Sequence, residues 1–80
     1  MGIKDAIALR VQNLCNEHNI TICKLATNSG LSRSTIYSML EPERRDVSAV
    51  LVKKICDGFG ISIIDFYNSP EFYDLEQEIK

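Results

Sequence analysis

Residues 21–40, with the sequence TICKLATNSGLSRSTIYSML, contain the pattern that decides the fold. Apolar residues recur at spacings of three and four on both sides of Gly30, which indicates two short amphipathic helices with a turn between them. Thr21 and Ser32 are good N-caps, because a side-chain hydroxyl can accept a hydrogen bond from an unpaired backbone amide. Gly30 suits the left-handed backbone at a helix end. The predicted helices cover about residues 22–28 and 33–40.

The residues around the turn predict that these two helices cross steeply. Ala26 is small where the helices approach each other, and Leu31 places the turn in the core. Ile36 packs back against Leu25 and Ala26 from the second helix. Two short helices joined by a tight glycine turn form a helix-turn-helix, in which one helix is left projecting.

The rest of the chain also shows helical periodicity. It predicts a first helix over about residues 3–18, and a fourth that begins at Ser48 or Asp46 and ends at Gly58 and Gly60. A fifth, capped by Ser62, covers 63–67, and a sixth begins at Pro70. The predicted fold class is all-α, a compact bundle of five to six short helices. We expect one domain over residues 1–80, with a core over about 3–67 and a helical C-terminal extension over 68–80.

Charge is distributed unevenly along the chain, whose formal net charge is −2. Residues 24–54 hold six basic and three acidic groups, whereas residues 55–80 hold six acidic groups and one basic group. The first segment can therefore face phosphates while the second turns away from them.

Several function classes find no support in the residues. Cys15, His18 and Cys23 lack a fourth metal ligand at suitable spacing, so we expect the three cysteines to act as small hydrophobic residues and the chain to hold no metal. No set of residues supplies a nucleophile, a base and an oxyanion donor, which predicts a protein that is not an enzyme and needs no cofactor. No small-molecule ligand is expected. No apolar run is long enough to span a bilayer and no signal peptide is seen, so we expect a cytoplasmic protein.

The helix-turn-helix pattern resembles that of a known family. In order and spacing, the chain resembles the Cro/C1-type (XRE-like) helix-turn-helix repressors of bacteria and phages, which have the lambda-repressor-like fold. The likeness extends over about residues 3–67 and includes VSAVLVKKICDGFG (47–60) and ISIIDFY (61–67). The residues that carry it in the motif are Leu25, Ala26, Gly30, Leu31, Ser32, Ile36 and Met39.

The resemblance implies that the helix beginning after Ser32 lies in the major groove of DNA. Arg33 is the strongest candidate for a base contact, because a guanidinium can pair with guanine O6 and N7. Tyr37 could touch a thymine methyl group or a phosphate. The implied base contacts are Arg33, Ser34, Tyr37 and Ser38. The implied phosphate contacts are Thr21, Ile22, Lys24, Thr35, Arg44 and Arg45.

The chain departs from the family pattern at two places. Ile22 stands where a glutamine commonly opens the second helix, which leaves backbone amides as the phosphate ligands there. Cys15 and Leu40 stand where the family often has a buried arginine and glutamate. Because both partners of that pair are replaced by apolar groups, we expect a repacked core.

The apolar stripe of Phe72, Leu75 and Ile79 has two interpretations: it folds back on its own core, or it pairs with a second copy. We favour a homodimer, because many helix-turn-helix proteins bind two half-sites. The predicted function is a sequence-specific DNA-binding transcriptional regulator, a repressor, with double-stranded DNA as its partner. The alternative is a protein-interaction module on the same fold, antitoxin-like or anti-repressor-like, which the acidic C-terminal residues favour.

Overall fold

The computed structural model describes residues 1–43 and 46–79. These residues form five α-helices and one 3-10 turn and contain no strand, which confirms the predicted all-α fold class. Within these ranges no helix combines the length and apolar content needed to cross a membrane. The elements in chain order are α1 (Ile3–His18), α2 (Ile22–Ser29), α3 (Arg33–Leu40), α4 (Ala49–Phe59), α5 (Ile63–Tyr67) and the 3-10 turn (Pro70–Phe72).

Local capping sets the helix boundaries. A hydroxyl side chain precedes each of α2 to α5 and accepts a hydrogen bond from a backbone amide in the first turn of its helix. Gly30 and Gly60 follow α2 and α4 with φ angles of 68° and 74°, where a residue with a Cβ would be strained. The capping residues are Thr21, Ser32, Ser48 and Ser62. Ser48, and not Asp46, is therefore the residue that caps α4.

One hydrophobic core joins the helices, and within it α2 packs most closely against α4. Cys15 and Cys56 are buried free thiols whose pKa values are raised by burial, as expected of small hydrophobic side chains. Cys23 is instead exposed on α2. Cys15 lies in the core and Leu40 packs against it, in agreement with the repacked core expected at these positions.

The predicted helical extension from Pro70 onward is wrong beyond its first turn. Helical structure stops at Phe72, and residues 73–79 form no helix. Phe72 packs against the core, with its ring centroid 4.8 Å from that of Tyr67, but Ile79 is 87% exposed. A short segment with acidic side chains and little apolar surface to bury cannot stabilise a further helix.

Polar contacts hold the end of the chain against α1. Arg10 donates from Nε to the carbonyl oxygen of Phe66 at 2.8 Å and from Nη2 to that of Asp65 at 3.0 Å. Asn13 donates to the Glu71 carboxylate at 2.7 Å, and the Ser69 hydroxyl donates to the same carboxylate. Burial raises the pKa of Glu71, but the hydrogen bonds from Ser69 and Asn13 outweigh it and leave that pKa below its ordinary value.

Candidate nucleic-acid interface

Helix α3 has one buried side and one side that faces away from the core. Ile36 and Met39 are 0% and 1% exposed and fix the inner side. Since successive residues of an α-helix are about 100° apart, the four predicted base-contacting residues lie within an arc of about 140° on the other side. Three of them are exposed and Ser38 is half-buried. We call this arc, formed by Arg33, Ser34, Tyr37 and Ser38, the recognition face.

The start of α3 is fixed by a pair of hydroxyl groups. Ser32 Oγ accepts a hydrogen bond from the Thr35 amide at 3.1 Å, and the two side-chain oxygens lie 2.8 Å apart. The Thr35 hydroxyl is therefore already engaged with Ser32. Thr35 is half-buried and lies beside the recognition face, at the flank where the resemblance predicted a backbone contact.

The start of α2 presents backbone amides together with one cation. Thr21 is exposed and caps the Lys24 amide at 3.1 Å, and the Lys24 side chain is exposed as well. Ile22 packs against the core, so its side chain is not available at this helix end. No acidic residue lies in the first turn of α2, α3 or α4, whereas α1 and α5 carry Asp5 and Asp65 there. Free amides at a helix start without a carboxylate nearby favour anions.

The charges of Arg33 and Lys24 are available for a partner. Among the described residues, neither Arg33 nor Lys24 takes part in an ion pair, whereas Lys53 is paired with Asp57 along α4. The predicted phosphate contacts Arg44 and Arg45 lie outside the described residues. The remaining candidates, Thr21, Ile22, Lys24 and Thr35, lie in the two helices of the helix-turn-helix or, for Thr21, at the N-cap of α2.

A contact that sequence reasoning missed holds the end of α3. Lys4 is 5% exposed, and its Nζ donates to the carbonyl oxygen of Glu41 at 2.8 Å. This bond fixes Glu41, the residue that follows α3, to the start of α1. A signal was present in the sequence, because Lys4 lies three and seven residues before Ile7 and Val11 and so on the buried face of α1.

A groove of 230 Å³ runs between α3 and α4, and we call it the α3/α4 groove. It shares two residues with the recognition face and therefore opens beside it. Met39 is its most deeply buried residue. The groove is lined by Ser34, Thr35, Ser38, Met39 and Leu51.

The likeness to known proteins includes α2, α3 and α4, and therefore the recognition face and the α3/α4 groove. A family model described as the Cro/C1-type HTH DNA-binding domain matches residues 10–70, well over half of the chain. No curated protein matches the chain. Among solved structures, the crystal structure of the prophage Lp1 protein 11 has a similar fold, with a TM-score of 0.81 and 28% sequence identity. That match covers 94% of this chain and 100% of the other.

Proposed function

The chain belongs to the Cro/C1-type helix-turn-helix DNA-binding family, and from that premise we propose that it is a sequence-specific transcriptional regulator acting as a repressor. It binds double-stranded DNA in the cytoplasm of a bacterium. The genes that it regulates belong to the bacterium or to a phage. The observation that carries the proposal is the recognition face, where a free guanidinium, hydroxyls and a phenol stand together outside the core on one short helix.

In this proposal α3 lies in the major groove with its first residues at base edges. Arg33 donates two hydrogen bonds to O6 and N7 of a guanine. Ser34 and Ser38 contact neighbouring base edges, and Tyr37 lies against a thymine methyl group or a phosphate. Their positions on a single arc of α3 allow all four to reach the floor of one groove.

Phosphate contacts fix the position of α3 without specifying sequence. The amides at Thr21 and Ile22 take one phosphate at the start of α2, with Lys24 supplying charge to the same strand. The Thr35 hydroxyl, which forms a hydrogen bond with the Ser32 hydroxyl, also contacts the DNA backbone. Arg44 and Arg45, which follow α3 in the sequence, are proposed to contact phosphates of the DNA backbone.

We further propose that two copies bind a two-fold symmetric operator. Phe72 is the least available of the three candidate residues, because it is half-buried and its ring packs against Phe66 and Tyr67 of its own chain. Leu75 is 39% exposed and Ile79 is 87% exposed, which leaves both available to a second copy. The acidic side chains between them would then make no direct contact with the DNA.

The first test is selection of the pure protein on a library of random DNA duplexes, repeated at several salt concentrations. We expect enrichment of a short two-fold symmetric site. Its affinity should fall as salt rises, because binding of the protein releases counterions from the DNA and this release is less favourable at high salt. Retention of no DNA at any salt concentration would contradict the proposed function.

Arg33→Ala tests the leading base contact. A lost bidentate contact to guanine should weaken binding to the selected site by about 5- to 150-fold and relax its preference at one position in each half-site. The matched control is Lys54→Ala, which removes an exposed cation from α4. Equal losses in the two variants would show that Arg33 contributes general charge and no base recognition.

A second candidate function is a protein-interaction module on the same fold. It is favoured by the recognition face, where Arg33 is the single cation, and by Ile64, which is 77% exposed on α5. Under this alternative the protein gives no salt-dependent DNA retention and instead forms a stoichiometric complex with one protein partner. Sedimentation with and without DNA separates the two candidates.

A further inference from the structure

The α3/α4 groove lies on the flank of the recognition face nearest to α4. Ser34 and Ser38 form its outer edge, and Thr35 and Met39 follow around α3 toward the core. Leu51, in the first turn of α4, forms the opposite wall. An edge of a base that meets Ser34 or Ser38 therefore also meets this groove.

The chemistry of the groove combines one free hydroxyl with apolar walls. The Ser34 hydroxyl is exposed and makes no hydrogen bond within residues 1–43 and 46–79, whereas the Thr35 hydroxyl is engaged with Ser32. Met39 and Leu51 contribute hydrocarbon and thioether surface. A phosphate in the groove would lose water without gaining a donor from these two side chains, which is unfavourable.

Among the four bases, thymine is the one whose major-groove edge matches this combination. It carries the O4 acceptor beside a C5-methyl group, whereas cytosine presents an amino donor and the purines carry no methyl group. We propose that the α3/α4 groove receives the C5-methyl group of a thymine in the operator, with Ser34 donating a hydrogen bond to O4. This inference rests on the proposed function and names a base that the site selects.

The test replaces each thymine of the selected operator, one at a time, by deoxyuridine, which lacks the C5-methyl group and is otherwise the same base. At one position in each half-site we expect binding about fourfold weaker, the equivalent of about 0.8 kcal/mol for one buried CH₂ group. The other thymines should tolerate the replacement. An operator in which no thymine shows this effect overturns the inference.

Variants of the groove locate the contact. Leu51→Ala removes the α4 wall of the groove. The ratio of affinities for operators with thymine and with uracil at the sensitive position should therefore fall toward one. In Ser34→Ala that ratio should persist, although the affinity for both bases falls, because O4 loses its donor while the methyl group keeps its walls. Tyr37→Ala is the matched control, since the phenol is the other apolar group of the recognition face.

Two outcomes would overturn the assignment to the groove. If Tyr37→Ala abolishes the sensitivity to uracil while Leu51→Ala retains it, the methyl group lies on Tyr37. Because Leu51 also packs against the core, folding of Leu51→Ala is checked by circular dichroism. Ser34→Leu, which fills the groove from an exposed position, gives a second test, and an undiminished sensitivity in that variant also contradicts the inference.

Failure of this inference is distinguishable from failure of the proposed function. A selection that enriches no DNA site contradicts both. A selected, salt-sensitive operator whose thymines all tolerate deoxyuridine leaves the regulator intact and contradicts the thymine contact alone.

Discussion

At Gly58, in the last turn of α4, helix α2 approaches so closely that a side chain has no room. A Cβ placed there would lie 2.1 Å from Ser29 Oγ and 3.2 Å from Ser29 Cβ. Alanine usually stabilises a helix by about 0.5–1 kcal/mol relative to glycine, but this overlap opposes the gain. We expect Gly58→Ala to lower the free energy of unfolding by about 1–3 kcal/mol, measured by urea denaturation.

The cause is checked by repeating that substitution in a Ser29→Ala background. Ser29 Oγ is buried and has no hydrogen-bond partner among the described residues, so its removal also deletes an unpaired polar group. The cost of Gly58→Ala should be smaller in this background, since the nearest atom is gone. An identical loss in the free energy of unfolding in both backgrounds would show that the Ser29 hydroxyl is not the cause.

The sequence predicts that Gly58 forms part of a helix end, whereas the structure places it inside α4 as a point of close approach to α2. The difference has a physical origin: the atoms that exclude a side chain belong to α2, far away in the sequence. The same holds for Lys4, whose partner is the carbonyl oxygen of Glu41. Contacts between distant elements leave little trace in local periodicity, whereas the four residues of the recognition face could be placed on one side of α3 from spacing alone.

At the scale of elements, α5 is a five-residue helix that is joined to α1 through Arg10. The guanidinium donates to two carbonyl oxygens at the end of α5, and its carbon lies 5.9 Å from the centroid of the Phe66 ring. Arg10→Met keeps the hydrocarbon chain and removes both donors. We expect the free energy of unfolding to fall by about 1.5–3 kcal/mol, since these are hydrogen bonds from a charged group.

Arg33→Met is the matched control for this substitution, because Arg33 is exposed on α3 and makes no ion pair within the described residues. Its stability should change by no more than about 0.5 kcal/mol. Arg10→Lys should recover little of the loss, because an ammonium group lacks the planar fork that reaches both carbonyls. Full stability in Arg10→Met would show that α5 is held by apolar packing alone.

The helices from α1 to α5 could be predicted closely from the sequence because their limits depend on local groups. A hydroxyl before the first turn of α2 to α5, and a glycine after the last turn of α2 and α4, act within a few residues of the chain. The sixth helix could not be excluded in the same way, since Pro70 and the stripe that follows satisfy the local rules. Whether such a stripe forms a helix depends on whether its apolar side chains can pack against the rest of the protein. Of the three, only Phe72 packs against the core.

At the scale of the whole molecule, one acidic residue near the end of the chain, Glu78, lies close to residues 46–49 before and at the start of α4. Glu78 lines a cavity of 490 Å³ together with Lys4 and with residues 46–49. Glu76 is tied to Met1, through a backbone hydrogen bond of 3.0 Å and an ion pair of 3.2 Å. The Glu78 carboxylate therefore lies near the start of α4, and the field of the acidic residues 74–78 opposes the approach of a phosphate backbone.

Neutralising Asp74 and Glu78 as Asn and Gln should therefore strengthen DNA binding, while Glu76 and its bonds to Met1 stay in place. We expect binding to a random duplex to tighten by about three- to tenfold at low salt, because long-range repulsion is removed. The gain should vanish near 0.5 M salt, where charges more than about 5 Å apart are largely screened. The ratio of affinities for the selected and random duplexes, measured in the same titrations, should not change, since neither side chain lies on the recognition face. A gain that survives high salt, or one confined to the selected operator, would mean that these carboxylates act through a direct contact and not through their field.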